Sequence, residues 1–437
     1  MRGPKISVIG LGFVGLPLAV VNATSGFETI AIDNNKKKLE QLRKGKSDFF
    51  EPQLSKFLNE SIKTRNIQFS ENVEDVLKSD ITFLTVGTPS VSNGGIDLTQ
   101  LKNVVTRLSR ILKRKRTKHL VVIKSTVIPT TTLKIIIPKF SNLKNVGVVV
   151  NPEFLREGSA INDLINPHLI VIGEANKMDG KKLVEYYKVF HKENLPEIIR
   201  TEITTAEMIK YANNAFLVTK ISFINSIANV CQNIRNVDVK TIAYAIGKDP
   251  RIGPLFLNAG PGFGGSCLPK DLSALINFSE RFGESNQFFK AIKKVNDAQP
   301  FKILSIMKKM KLLKRNKVIS VLGLSFKKDT DDIREAVSIK LVDKLIQSGL
   351  HVRVHDPMAL DNFKSLFGNK ITYCSNVSQC LRDSECCILL TEWDQYKTLT
   401  PNFFKKSMKI PNIIDARRIL DNTRFSKLNF HAIGLGI

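Results

Sequence analysis

Cys267 lies in the stretch GPGFGGSCLPKDLSAL, residues 260–275, with four glycines before it and Pro269, Lys270 and Asp271 close behind. A helical pattern begins near Pro269 and carries Asp271 in its first turn. Cys267 therefore falls just before a helix amino end, where N–H groups and the helix dipole favour a thiolate. The glycines leave the sulfur accessible and let backbone approach a substrate. This is how a nucleophile is presented, and the competing reading is a small residue in a glycine-rich turn. Such a nucleophile needs cationic or amide donors near a developing oxyanion and a carboxylate to handle water. Lys210 and Asn214, four apart in ITTAEMIKYANNAFLVTK, share one helix face, and Glu153 and Glu157 of NPEFLREG supply carboxylates.

The elements that must position these groups begin with KISVIG, LGFVGLPLAVVNATSG and FETIAID, read as strand, glycine turn and helix, then strand. Gly10, Gly12 and Gly15 fit the G-x-G-x-x-G turn that brings a pyrophosphate to a helix amino end. Asp33 closes the second strand, where an acid accepts hydrogen bonds from a ribose and repels a 2′-phosphate. NAD is thus expected over NADP, a preference softened by Lys36, Lys37 and Lys38. Further apolar strands at ITFLTVGTP, HLVVIKST and NVGVVVNP point to a doubly wound parallel sheet. Their carboxyl ends carry Thr88, Thr126 and Glu153, on the edge where such sheets place ligands. A thiol beside a nicotinamide suits a four-electron oxidation. An alcohol gives an aldehyde, thiolate addition gives a thiohemiacetal, a second hydride loss gives a thioester, and water releases the acid.

Residues 203–235 read as one helix without proline or glycine, of the length used to bridge domains or line a dimer interface. Beyond it KVISVLGLSF, SIKLVDKLIQSG and LHVRVHDP repeat strand, helix and strand, ending in Asp356 much as the first unit ends in Asp33. The fingerprint glycines are missing there, so a different nucleotide-containing ligand is expected. The expected architecture is α/β, with two Rossmann-like doubly wound parallel-sheet domains joined by a long central helix and a helical middle domain. Residues 1–200 form the cofactor domain, 201–300 the helical dimerisation domain and 301–437 the second Rossmann-like domain. The basic, apolar amino terminus raises an export signal, but the turn spacing of its glycines argues for the fingerprint instead. No apolar run approaches the roughly 20 residues of a membrane span. The six scattered cysteines show neither metal spacing nor a disulfide framework, so no metal and a reducing cytoplasm are expected. The net charge of +26 attracts anions, but its lysine runs lack interleaved aromatics and read as a solvated surface rather than a nucleic-acid footprint.

GLGFVGLPLA, KSTVIPTTT, NPEFLREGSAINDLINP, DPRIGPLFLNAGPGFGGSCLPKD and VLGLSFKKDTDDIRE together resemble the nucleotide-sugar dehydrogenase family, its UDP-glucose-oxidising members above all. The resemblance runs in order from residue 5 to about residue 420. It implies NAD-dependent oxidation of the sixth carbon of a nucleotide sugar to a uronate. Cys267 then resembles the nucleophile, Lys210 and Asn214 the oxyanion and water-ordering pair, Asp271 an assisting acid, and Thr126 and Glu153 residues that handle the catalytic water. Gly10, Gly12, Phe13, Val14, Gly15, Asp33, Lys38, Thr88, Thr126, Glu157 and Arg334 would contact the cofactor. Glu153, Phe154, Leu155, Lys210, Asn214, Phe256, Gly264, Lys327 and Arg417 would contact the sugar nucleotide, with Arg418 as an alternative to Arg417. Arg251 of DPRIG resembles an arginine that reaches the neighbouring subunit's site, which implies a homodimer. Pro167, His168 and Leu169 stand where many relatives have Pro-Asp-Arg, Leu268 replaces a common phenylalanine, and REAVS replaces RESPS. The same chemistry on GDP-mannose or a UDP-N-acetylhexosamine is one alternative. A two-electron 3-hydroxyacid dehydrogenase and a non-catalytic basic nucleotide- or nucleic-acid-binding protein are the others.

Overall fold

The structure, a computed structural model, describes residues 3–436. Four- and five-residue apolar runs form its central strands and are buried on both faces, as parallel strands covered by helices must be. The first sheet holds β1 (Ile6–Ile9), β2 (Thr29–Ile32), β3 (Ile67–Ser70), β4 (Ile81–Leu84), β5 (His119–Ile123), β6 (Val146–Val150), β7 (Ile170–Glu174) and β8 (Ile198–Thr201), with the partly exposed β3 and β8 at its edges. The order is β3-β2-β1-β4-β5-β6-β7-β8, so β1 to β6 follow the Rossmann arrangement. The expected doubly wound parallel sheet is present, with one reversal beyond its first six strands: β7 runs antiparallel to β6, with Val150 opposite Gly173. Between them the chain makes only the six-residue helix Ala160–Ile165, and no crossover carries it back to start a parallel strand. The NPEFLREG segment consequently follows β6 at its carboxyl end.

The second sheet holds β9 (Val318–Leu322), β10 (His351–His355), β11 (Thr372–Tyr373), β12 (Cys386–Leu389), β13 (Asn412–Asp415) and β14 (Asn429–Ala432). Its order, β11-β10-β9-β12-β13-β14, repeats that of the first six strands, and every pairing is parallel. The chain divides into two compact units between Asn213 and Asn214. The first contains the first sheet, with apolar clusters around Val8, Phe83 and Tyr186 and around Val121, Leu108 and Ala206. The second contains the second sheet, whose cores include Val321, Leu341 and Ile388, and Leu389, Phe404 and Phe425.

The long helix covers Ile203–Cys231, 29 residues, and ends four residues earlier than its pattern suggests. Tertiary bonds end it: the Gln232 side chain accepts from Gly434 N at 2.8 Å and donates to the Leu435 carbonyl at 2.9 Å, while Asn236 turns to φ 62°. In the second unit this helix, the helix Leu268–Glu280 and the helix Gln287–Lys309 bury Val218, Phe263, Leu272 and Ile292 together. Phe263 lies inside the glycine stretch, and burying a phenylalanine contributes about 2–3 kcal/mol to fixing that loop. No described helix is long and apolar enough to cross a membrane.

Candidate active site

In the first unit, the glycine turn joins β1 to the helix Gly15–Thr24. A Cβ on Gly15 would come within 1.8 Å of the Gly10 carbonyl oxygen, so only glycine lets the helix begin this close to the strand. A Cβ on Gly12 would meet nothing within 4 Å, and Val14 at the helix N-cap makes no side-chain cap bond. This open helix start is suited to a diphosphate. Asp33 shapes the turn as well as facing it: its Oδ2 accepts from Leu11 N at 2.8 Å and its Oδ1 from Asn35 N at 2.9 Å. Lys38 donates to the Leu11 carbonyl at 3.2 Å and pairs with Asp48 at 3.0 Å, so it is tied to the turn itself. Phe13 packs on Phe49, with ring centroids 4.3 Å apart.

Thr88 and Thr126 meet where the chain leaves β4 and β5, the Thr88 hydroxyl donating to the Thr126 carbonyl at 2.8 Å. Glu153 and Lys210 form an ion pair of 3.0 Å with only 6% of each side chain exposed. The second carboxylate oxygen of Glu153 accepts from Leu155 N at 2.6 Å, and the Lys210 ammonium lies 5.4 Å from the Phe154 ring centre. Glu153, Phe154, Leu155 and Lys210 are thus brought together as the sequence suggests. Glu157 lies half-buried just beyond them, whereas Arg156 is committed to Asp163 at 2.6 Å.

In the second unit Cys267 is the N-cap of the helix Leu268–Glu280 and is exposed, its thiol 3.4 Å from the Ser266 hydroxyl. Asp271, one turn on, donates its N–H to the Cys267 carbonyl at 2.8 Å. Its carboxylate, 2% exposed, accepts from the Asn214 amide at 2.7 Å and pairs with Lys270 at 2.6 Å. Cysteine, acid and amide are therefore fixed by one helix start and one hydrogen bond. The glycines before Cys267 also have a role the sequence did not show. A Cβ on Gly264 would stand 2.5 Å from the Glu335 carbonyl oxygen, and Gly265 N donates to the Arg334 carbonyl at 2.9 Å. The loop is bare because the 326–335 segment packs directly on its backbone.

The chain matches the UDP-glucose/GDP-mannose dehydrogenase family in three consecutive parts: the NAD binding domain over residues 4–191, the central domain over 204–298 and the UDP binding domain over 320–422. It belongs to that family. The chain is 36% identical over 436 residues to a UDP-glucose 6-dehydrogenase of Haloferax volcanii, covering 98% of this chain and 100% of the relative. It is 35% identical over 441 residues to one of Bacillus subtilis, covering 98% and 93%. A solved UDP-glucose dehydrogenase of Pyrobaculum islandicum superposes with a TM-score of 0.92 at 32% identity, over 100% of this chain and 98% of that one. A UDP-N-acetylmannosamine dehydrogenase of Pyrococcus horikoshii superposes at 0.84 with 25% identity, over 99% of both. The fingerprint turn thus lies in the family's NAD binding domain, and NAD is the cofactor.

Within the family's UDP binding domain the two adjacent arginines separate clearly. Arg418 is a structural partner of Asp238, at 2.7 and 2.8 Å. Arg417 donates to the Phe326 and Leu390 carbonyls at 2.8 and 2.7 Å and pairs with Glu392, so it lies beside the segment that bears Lys327. Arg334 forks onto Asp332, the closest contact being 2.7 Å, and Lys327 stands 5.8 Å from the Phe326 ring. In the central domain Arg251 is exposed and held by Asp249 at 2.6 Å, and Phe256 takes a left-handed φ of 64°. Sequence reasoning missed Glu207, which is buried and accepts from Thr130 N and Thr132 N at 2.7 and 2.9 Å, fixing the turn after Thr126. Burial pushes its carboxyl pKa up. It also missed Glu51, which holds Gly158 N and Ala160 N at 2.7 and 2.8 Å behind Glu157. Glu207 precedes Lys210 by three on one helix face, a signal that was available, whereas Glu51 acts across 107 residues.

Proposed function

We propose that this protein oxidises UDP-glucose to UDP-glucuronate in two successive two-electron steps through a covalent bond to Cys267. The observation that carries the reading is the exposed thiol at a helix N-cap whose first turn holds Asp271 against Asn214, one turn beyond Lys210 along the long helix. The Haloferax, Bacillus and Pyrobaculum relatives support UDP-glucose as the substrate. Gly10, Gly12, Phe13, Val14, Gly15, Asp33, Thr88, Thr126, Glu157 and Arg334 are the proposed cofactor residues, with Lys38 acting through the turn. NAD, when bound, accepts a hydride in each of the two oxidations.

The remaining steps belong to the chain. The Cys267 thiolate adds to the aldehyde carbon, forming a C–S bond while the carbonyl oxygen becomes an oxyanion held by the Lys210 ammonium and the Asn214 amide. Loss of a second hydride from that carbon leaves a thioester. Glu153, with Thr126 ordering the water, takes a proton as water attacks; the C–S bond breaks and the thiolate leaves. One alcohol, two oxidised cofactors and one water give one carboxylate, two reduced cofactors and three protons. Asp271 keeps Asn214 oriented. Phe154, Leu155, Phe256, Gly264, Lys327 and Arg417 are the proposed sugar-nucleotide contacts, guanidinium suiting phosphate oxygens.

We place the working unit in a homodimer, with Arg251 reaching the partner's site. Phe216, Phe223 and Val230, spaced by seven along the long helix and 65%, 50% and 58% exposed, support such an interface. A cytoplasmic location is part of the same reading. The test of the reading is NADH released per sugar nucleotide consumed, with GDP-mannose and UDP-N-acetylglucosamine run beside UDP-glucose. Two NADH per UDP-glucose with UDP-glucuronate as product is expected. One NADH would leave an alcohol dehydrogenase without a thioester, and turnover of another sugar alone would move the specificity and keep the mechanism.

A further inference from the structure

Lys124 follows β5 directly and is 6% exposed, an unusual place for an ammonium group. Its Nζ donates to Asn151 Oδ1 at 2.8 Å and stands 3.4 Å from the Asn151 carbonyl. Asn151 is two residues before Glu153. Its other bonds tie it down: Oδ1 also accepts the Tyr187 hydroxyl from the helix Lys177–His191, Nδ2 donates to the Val171 carbonyl at 2.8 Å, and its backbone N–H donates to the Ile123 carbonyl at 2.9 Å. The Asn-Pro-Glu turn is thus pinned to β5, β7 and a covering helix, with Lys124 as its charged pin.

The charges around Lys124 are Glu153 from the turn itself and Lys210 from the long helix. Glu153 pairs with Lys210 at 3.0 Å, and Lys124 is the second buried cation of this region. Burial first, and then repulsion from Lys210, outweigh the attraction of Glu153 and bring the Lys124 pKa down to about 8, so at neutral pH it remains mostly charged. A base that must take a proton from water has to be ionised, and a neighbouring cation favours that form of a carboxylate.

We propose that Lys124 is a positioning residue for thioester hydrolysis: it fixes the Asn-Pro-Glu turn through Asn151 and its charge keeps Glu153 ready to accept a proton. The proposal rests on the reading of Glu153 given above. Its test is the pH profile of uronate release in wild type, Lys124→Arg, Lys124→Met and Lys124→Gln, the last keeping a donor for Asn151 without the charge. Arginine should retain the wild-type acid limb. Both neutral variants should move that limb to higher pH by about one unit, with the KM for NAD unchanged. A merely structural role would lower rate and melting temperature without moving the limb. An unmoved limb in Lys124→Gln would overturn the proposal, as would failure of both neutral variants to fold, which would assign the charge to folding. The profile is read only after wild type is shown to release two NADH per sugar nucleotide. A wild type that fails there sinks the functional reading, whereas an unmoved limb in a competent enzyme sinks only the role of Lys124.

Discussion

The two Rossmann-like sheets end their second strands in an aspartate, yet the two carboxylates live differently. Asp33 is half-exposed and accepts two backbone N–H groups, Leu11 N of the glycine turn and Asn35 N of its own. Asp356 is buried and accepts six hydrogen bonds, from Leu324 N, Ser325 N, the Ser325 hydroxyl, Met358 N, Ala359 N and the Trp393 indole. The residues after the first strands differ in the same sense. Gly323, at φ 97° and with an added Cβ 2.5 Å from Thr391, matches Gly10, at φ 96° and 3.1 Å from Thr85, but two residues further on Gly12 faces open space, whereas Ser325 is buried and bonds Asp356 through its N–H and hydroxyl. The first turn leaves its helix end for a ligand, and the second fills the equivalent space with its own side chains. An acid at the end of a second strand is thus found beside an open turn in one unit and beside a filled one in the other.

The largest effect expected from breaking this contrast is in the second unit. Asp356→Ala strands an indole N–H and four buried backbone donors and should cost about 4 kcal/mol or more, read as a fall in the denaturation midpoint. Next, Gly323→Val should destabilise by about 3 kcal/mol through its φ and its clash with Thr391. Gly12→Val should leave the melting temperature nearly unchanged and raise the Kd for NAD by about a hundredfold, since it fills the space kept for diphosphate. Equal stability losses at Gly12 and Gly323 would erase the distinction.

A pH-dependent effect, small near neutrality, distinguishes the first unit. Burial, and then repulsion from Lys115, hold His119 neutral with its pKa down at about 3, against 6.5 for an ordinary histidine. Its folded pKa is depressed, so the unfolded chain binds the extra proton and stability falls as pH drops below 6.5, by at most about 1.4 kcal/mol per unit, until about 3. His119→Gln should flatten that slope in acid denaturation curves. The smallest expected change is in Asp33→Ala, which should reduce the preference for NAD over NADP about tenfold, read as the ratio of the two kcat/KM values.

What was legible from sequence was whatever a short span of chain determines alone. The fingerprint glycines, the apolar strands, the helix start at Cys267 and the shared face of Lys210 and Asn214 are all of this kind. The reversal of β7, the early end of the long helix at Cys231, the saturation of Asp356 and the packing of the 326–335 segment on the glycine loop were not. Each depends on partners tens to hundreds of residues away, as Gln232 depends on Gly434 and Leu435. For the same reason the lysine runs read as undifferentiated surface, although Lys115 donates to the Leu77 and Ser79 carbonyls and is partly structural.

The proposed covalent bond to Cys267 is tested most directly by intact-protein and peptide mass spectrometry of Glu153→Gln mixed with UDP-glucose and excess NAD. With hydrolysis slowed, two NADH released per site and a hydroxylamine-sensitive uronyl adduct on the Cys267 peptide are expected. Two NADH with free uronate and an unmodified Cys267, or an adduct that forms equally in Cys267→Ala, would contradict it.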